Sequence, residues 1–504
     1  MKININIFSY MSYCKKLGIK LPNFDREKML KVTADSPIWV HFGAGNIFRA
    51  FIATIQQELL EKGLTNKGII AAFTVEPKII DNVWMPHDNI SLRVTVSNDG
   101  TMEKLIVASI SECLFADKSS NDWTRLIEIF KSQSLQIVSF TITEKGYDPK
   151  GETMKKIREL LNERKKVGAP PIALVSMDNC INNGDILKKG IGDSNCYDGM
   201  SFPLTMIDKI TPHPNEEIKK KLETMGVEGL DIIVTEIGTH SSGFVNTEKT
   251  QYLVIEDNFP NGRPPLENVG VIFADRKTVN LVEKMKVGAC LNPLHFCVAI
   301  FGTLLRFNTM ADAVCDMDIK RIIEYMGFEE ELPIVTDPII INPRDFLEEC
   351  INVRFPNTFL PDDPARITTD ASAKITTRFE DTIKEYIEKY PTKLENLRMI
   401  PLLFAGWIRY LMAIDDDGNS FKLSPDPLLE ELIKHVKNIR LGQQFDAHRH
   451  VKPILCNRKL FKINVYETPL GKAIEDWFMK LTESRGAVRR TIRLIKKYDS
   501  ISLD

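Results

Sequence analysis

One segment constrains this chain more than any other: residues 36–46, SPIWVHFGAGN. A short apolar run leads straight into Gly43 and Gly45. An apolar-periodic stretch, FRAFIATIQQELLEKG, follows and closes at Gly63. A strand apolar on both faces belongs in a parallel sheet covered on both sides. A glycine turn from such a strand into a helix presents free amides and a positive dipole to an anion. The first glycine permits the tight turn and the second lets a pyrophosphate approach the backbone. The third glycine of the full dinucleotide pattern is replaced by Phe48. Gly43, Ala44, Gly45, Asn46, Ile47, Phe48 and Arg49 therefore form the candidate cofactor turn. A plain strand–helix turn is the alternative.

GIIAAFTVEP (68–77) reads as a second buried strand ending at Glu76. An acid there can accept hydrogen bonds from ribose hydroxyls and repels a 2′-phosphate, which favours NAD over NADP. A solvated strand-end acid fits equally well. ISLRVTVSNDGTMEKLIVASI reads as a hairpin turning at Asn98, Asp99 and Gly100. A helix around 121–133, the strand LQIVSFTIT (135–143), an exposed helix KKIRELLNERKK and the strand PIALVSMDN (171–179) continue the alternation. Strands alternating with helices predict an α/β, doubly wound, Rossmann-type N-terminal domain. Two strand ends collect polar residues. Thr143, Glu144, Lys145, Gly146 and Tyr147 stand at one; Ser176 to Gly184, with Asn179, stands at the other.

From about residue 275 the pattern becomes mainly α-helical, over 278–287, 293–306, 319–326, 378–390, 396–414 and 425–438. The expected division is 1–275, an NAD-binding Rossmann-type domain, and 276–504, a helical substrate-binding domain. A length of 504 residues accords with two cores. A net charge of -2 gives no reason to expect nucleic acid or an anionic membrane as partner. No apolar run reads as approaching the roughly 20 residues that span a bilayer. The N-terminal patch is interrupted by Asn4, Asn6 and Ser9, so a cytoplasmic protein is expected. The nine cysteines follow no CxxC or zinc spacing and read as free thiols. His448 and His450 form an HxH pair without a supporting cluster, so no metal is expected. The basic run from Arg489 to Lys497 reads as a solvated helix face with Ile492 and Ile495 inward.

The sharpest feature of the second half is EKMKVGACLNPLH, from Glu283 to His295. Gly288 suits a helix C-terminus. Asn292 before Pro293 reads as an N-cap. The expectation is helix, break, helix, with Lys286 in the last turn of the first and Asn292 and His295 on one face of the second. A desolvated lysine can serve as a base near neutral pH. A surface lysine beside a capping asparagine fits the same letters.

These blocks together resemble the polyol-specific long-chain dehydrogenases, the mannitol dehydrogenase family, whose members act on mannitol and on hexuronates. The matching residues are His41 to Ala50, Thr143 to Tyr147, Ser176 to Gly184, Lys286 to His295, Arg354 to Asn357 and Arg366 to Lys374. They stand in the family's order across most of 36–380. The resemblance implies a metal-free hydride transfer with NAD. Lys286 would be the general acid/base, and Asn179 and Asn292 would hold the reacting oxygen. His295, Arg366 and Lys374 would bind the rest of the substrate, and Glu283 would sit near the proton path. The partner would be a small polyol or sugar acid, the D-mannonate/D-fructuronate pair favoured, and the enzyme a monomer or small homo-oligomer. Mannitol/fructose and tagaturonate chemistry are the alternatives, and a non-catalytic NAD-binding protein is the alternative of another class. Three departures stand out. Phe51 replaces a usual histidine, Pro293 and Leu294 replace a small pair, and the stretch from Lys286 to Asn292 is one residue longer than in the mannitol enzymes.

Overall fold

The computed structural model describes residues 1–192, 198–236, 238–359 and 362–495. The chain forms two compact units, Met1–Asn280 and Leu281–Asp504.

The first unit is built on five parallel strands, β1 (Trp39–Phe42), β2 (Ile69–Phe73), β3 (Ile110–Phe115), β4 (Ile137–Phe140) and β5 (Ala173–Ser176). Their spatial order is β3-β2-β1-β4-β5. Strand period explains why two cores result. Trp39, Ile69, Ala71, Ile137 and Val175 point to one face, where Phe48, Ile52, Ile55 and Leu59 of the helix after the glycine turn cover them. Val40, Phe42, Ile70, Ala72, Val138 and Phe140 point to the other. There α1 (Asn121–Lys131) supplies Leu126, Ile129 and Phe130, and α2 (Glu152–Lys166) supplies Ile157, Leu160 and Leu161. Each such buried side chain contributes roughly 1.5–3 kcal/mol. The order reverses between β1 and β4, which start in opposite directions across the sheet. That is the switch point at which open α/β sheets bind ligands.

The expected hairpin is present: Ser91–Val96 pairs antiparallel with Met102–Val107, and Gly100 takes φ 80°. β3 begins three residues after it and escapes the sequence reading. The half-buried Glu112 and Cys113 break its apolar run, and it follows another strand without a helix between. Among the described residues three smaller sheets complete the unit: one of four strands that includes the hairpin, one of two, and one of three that places Thr205–Asp208, Tyr252–Glu256 and Ile272–Ala274 side by side.

The second unit is helical. The expected break at Gly288 does not occur. α3 (Arg276–Met285) passes into a π-helical turn, Lys286–Cys290, and α4 (Asn292–Leu304) starts after Leu291. Asn292 is the first residue of α4, not its cap, and Leu291 takes the flanking position at φ -122°, ψ -65°. Arg276–Leu304 is therefore long and apolar enough, by length and composition, to cross a membrane, which corrects the reading of short apolar runs. Within its most apolar stretch 67% is buried inside the protein, the pattern of a core helix.

α5 (Ala371–Lys389) and the wholly buried α6 (Met399–Tyr410) extend the unit. The Glu330 carboxylate accepts from the amides of Arg398, Met399 and Ile400 at 2.6–2.7 Å, serving the orphan donors that open α6. Residues 425–438 keep only a five-residue helix, Leu429–Ile433, where a longer one is expected. Nothing in the structure explains why it stops there. At the C-terminus Ile492 and Ile495 face inward as expected. Arg489 pairs with Asp316 and Asp318, and Arg493 with Asp318. Lys496 and Lys497 lie outside the described residues, as does Cys196; the eight described cysteines are free.

Candidate active site

In the first unit the functional edge is strained at every strand that matters. Gly43 after β1 has φ 86°, Glu76 after β2 φ 62°, Thr143 after β4 φ 62° and Asn182 after β5 φ 54°. Left-handed backbone at non-glycine residues costs of order 1–3 kcal/mol, persists only where surroundings impose it, and clusters at functional sites. At Gly43 the geometry dictates the residue, since a Cβ there would lie 2.1 Å from the Thr141 carbonyl oxygen. Gly45 meets only Gly43 O, at 3.9 Å, so the outer side of the turn stays open for close approach. The first helical bond runs from Arg49 N–H to Gly45 O (3.2 Å). The amides of Asn46, Ile47 and Phe48 precede that ladder.

A polar ladder inside the sheet supports the turn. Trp39 Nε1 donates to Ser139 Oγ (2.7 Å). His41 bridges Ser139 Oγ (2.7 Å) and Thr141 Oγ1 (2.8 Å), and Thr141 donates to Gly43 O (2.7 Å). Burial holds the His41 ring down at about 3, so it stays neutral. The Phe48 ring fills the missing glycine's place by stacking on His41 at 4.4 Å. Arg49 turns inward as well. Its guanidinium is 1% exposed and binds Asn46 Oδ1 (2.8 Å), Ser241 Oγ (3.1 Å) and Ser242 O. Its side chain thus braces the turn, and Asn46, Ile47 and Phe48 offer backbone.

At the neighbouring strand ends Asp178 accepts from the amides of Ile142 (2.8 Å) and Thr143 (3.2 Å) and from the Tyr147 hydroxyl (2.6 Å). Burial raises the Asp178 carboxyl above its ordinary range and pushes the Tyr147 phenol well up. This clasp fixes the loop carrying Glu144 and Lys145, both exposed, and stands one residue before the exposed Asn179. Sequence reading missed it, though Asp178 and Tyr147 lie in the polar strand ends it singled out. One Glu76 carboxylate oxygen is buried and has no hydrogen-bond partner among the described residues.

In the second unit Lys286 opens the π-turn and is 2% exposed, with Glu283 half-buried one turn earlier. The turn has its own support. Pro293 lacks the N–H that the Gly288 carbonyl would accept in π-helical pairing. Thr382 Oγ1 of α5 lies 3.1 Å from that carbonyl and 3.1 Å from Glu331 Oε2. Burial raises the Glu331 carboxyl well above its ordinary range. A protonated Glu331 can donate to Thr382, which then donates to Gly288 O.

Beside the turn the structure gathers His295, Arg366 and Lys374. His295 stacks on Phe355 at 5.2 Å, with Nε2 3.7 Å from Asp362. Burial, reinforced by Arg378, Arg366 and Arg354 against Asp362, holds its ring at about 3, so it meets a ligand as a neutral imidazole. Arg366 is locked in a two-point pair with Asp362, one contact at 2.6 Å. Lys374 Nζ donates to Ile367 O (2.9 Å). Burial first, then Arg378 and Arg366, lower it to about 8. Asn292 joins the group through its carbonyl, which accepts from Arg378 Nη1 at 2.9 Å. Arg378 and Asp362 are the members sequence reading missed. The signal was present: Lys374 and Arg378 are like charges four residues apart on one helix, an arrangement that is unfavourable unless something offsets it.

Among the described residues no group of three His, Cys, Asp or Glu side chains is arranged for a metal. The HxH pair diverges, His448 to the Tyr466 hydroxyl and His450 to the His435 carbonyl.

Comparison with known proteins settles the family. The mannitol dehydrogenase Rossmann domain matches residues 37–268, and the mannitol dehydrogenase C-terminal domain matches 278–476. The chain belongs to the mannitol dehydrogenase family. It is accordingly an oxidoreductase with a Rossmann-type domain and a helical one. D-mannonate oxidoreductase of Thermotoga maritima is 45% identical, over 98% of this chain and 98% of its own. Mannitol 2-dehydrogenase of Pyrenophora tritici-repentis is 28% identical, over 78% of this chain and 72% of its own. Among solved structures, the Pseudomonas fluorescens mannitol 2-dehydrogenase ternary complex with NAD and D-mannitol matches with a TM-score of 0.73. It is 23% identical, over 98% of this chain and 99% of that one.

Proposed function

We propose that this chain is an NAD-dependent oxidoreductase of a sugar acid, interconverting D-mannonate and D-fructuronate without a metal. The observation that carries the reading is the 45% identity, end to end, with a D-mannonate oxidoreductase. A cluster of cations around His295 in the second unit, Arg366, Lys374 and Arg378, accords with an anionic substrate.

The first unit fits the cofactor on its own geometry. The Gly43–Gly45 turn leaves the approach side open, and the amides of Asn46, Ile47 and Phe48, which precede the helical ladder, would hold the pyrophosphate. The unpartnered Glu76 oxygen suits a ribose hydroxyl and disfavours a 2′-phosphate. Glu144 and Lys145 stand on the same edge, after β4. NAD, when bound, supplies the two-electron acceptor for the carbinol hydride.

The proton is Lys286's part. In oxidation its neutral amine takes the hydroxyl proton, and in reduction the ammonium returns it. The amides of Asn179 and Asn292 are assigned to the negative charge that grows on that oxygen, a contribution of about 10²–10³ in kcat per donor. His295, Arg366 and Lys374 hold the remainder of the substrate, and Glu283 accompanies the proton path. The test is a panel of D-mannonate, D-altronate and D-mannitol with NAD and NADP, followed by NADH absorbance with chelator present. Highest kcat/KM on D-mannonate with NAD is expected. Preference for D-mannitol or D-altronate would move the chain to another branch of the family, and loss of activity to chelator would overturn the metal-free reading.

A further inference from the structure

Arg378 is charged, recessed and, among the described residues, without a counter-ion. It sits in the first half of α5, and its guanidinium lies 5.5 Å from the centre of the Phe296 ring. Its hydrogen bond to Asn292 O uses one N–H. A guanidinium carries five, so four remain without a protein acceptor among the described residues. None of them is a buried orphan. They reach accessible space from a half-buried side chain. Among the described residues no carboxylate lies within ion-pair distance of it, and the charge that weighs on it most is another cation, Arg366.

The other cations nearby differ in this respect. Arg366 is cancelled by the two-point pair with Asp362. Lys374 gives one of its hydrogens to Ile367 O and feels Asp370 and Asp362. A protein that recesses a guanidinium beside other cations, and provides no acid, has left room for an anion from outside. The tether to Asn292 O fixes where that anion sits, next to the first turn of α4, which also carries His295.

We propose that Arg378 is the residue that selects a carboxylate-bearing substrate, its free N–H pair gripping both carboxylate oxygens in the planar two-point mode of guanidinium. Arg366 and Lys374 then serve hydroxyl groups, which both acid and neutral substrates possess. This rests on the sugar-acid reading above and adds the group that discriminates.

The experiment compares wild type, Arg378→Gln and Arg378→Lys as full-length enzymes. It measures kcat/KM for D-mannonate and for D-mannitol with NAD, thermal midpoint, and NADH affinity by fluorescence. The expected result is that the mannonate-to-mannitol ratio falls about 10²-fold in Arg378→Gln, mainly through KM for mannonate. Arg378→Lys, which keeps charge but not the fork, falls between. If both substrates weaken by the same factor, or the ratio holds, Arg378 only braces Asn292 and the proposal is overturned. Should Arg378→Gln fail to fold, the intermediate ratio of Arg378→Lys decides. A wild-type enzyme that prefers D-mannitol sinks the sugar-acid reading itself, a distinct outcome.

Discussion

The two units build their working surfaces by opposite means. In the first, the backbone does it: a left-handed glycine, open amides, and inward-facing side chains, His41, Phe48 and Arg49, that only brace. In the second, the proposed surface is made of side chains, from Lys286, Asn292, His295, Asp362, Arg366, Lys374 and Arg378, spread over about ninety positions. A backbone site tolerates almost any neighbour but not the loss of its glycine. A side-chain site tolerates backbone irregularity, here a π-turn, provided the groups are still aimed.

That contrast can be broken most decisively at Lys286. Lys286→Met removes the proposed acid/base and should cost about 10²–10⁴ in kcat. NADH affinity, a property of the other unit, should be unchanged in fluorescence titration. Turnover near wild type would end the lysine mechanism. Gly43→Ala is the reciprocal experiment. The left-handed backbone alone adds roughly 1–3 kcal/mol, and the contact with Thr141 O forces the turn to move. NADH Kd should rise about tenfold or more; an unchanged Kd would show that the turn is not the cofactor's seat.

A smaller effect is expected at Thr382→Val, which strands the Gly288 carbonyl and Glu331 together. An unsatisfied buried acceptor costs about 1–3 kcal/mol. The thermal midpoint should drop, and kcat should fall about tenfold as the turn carrying Lys286 loosens. Unchanged kcat at a lower midpoint would limit the relay to stability. The mildest test is pH. Lys374, lowered to about 8 by burial and by Arg378 and Arg366, is charged below that value and neutral above it. KM for D-mannonate and for D-mannitol should therefore both rise as pH climbs through about 8, by roughly three- to tenfold, since the hydroxyl groups assigned to Lys374 are common to the two. A KM that is flat across that range for both substrates would remove Lys374 from substrate binding.

The same contrast explains what the sequence disclosed. The glycine turn, the hairpin at Gly100 and the buried strands were legible because backbone geometry restricts residue choice locally. Lys286, Asn292, His295, Arg366 and Lys374 entered through the family resemblance, since nothing local announces a cluster assembled from distant segments. The letters around Gly288 and Pro293 spell a helix end. A π-turn has no residue signature of its own, and the hydroxyl that makes it viable, Thr382, lies 94 positions away. Arg378 stands among the charges of an amphipathic helix, and no spacing in the letters tells which of those charges faces an acid and which does not.

The turn from Lys286 to Cys290 also bears on how this lineage could change length. One additional amino acid in a regular α-helix swings everything downstream by about 100°, which would carry Asn292 and His295 off their face. Widening a single turn swallows the newcomer and leaves the later residues facing as before. A one-residue insertion at this spot is thus an almost silent edit, and chains with the shorter and the longer stretch could share one arrangement of side chains.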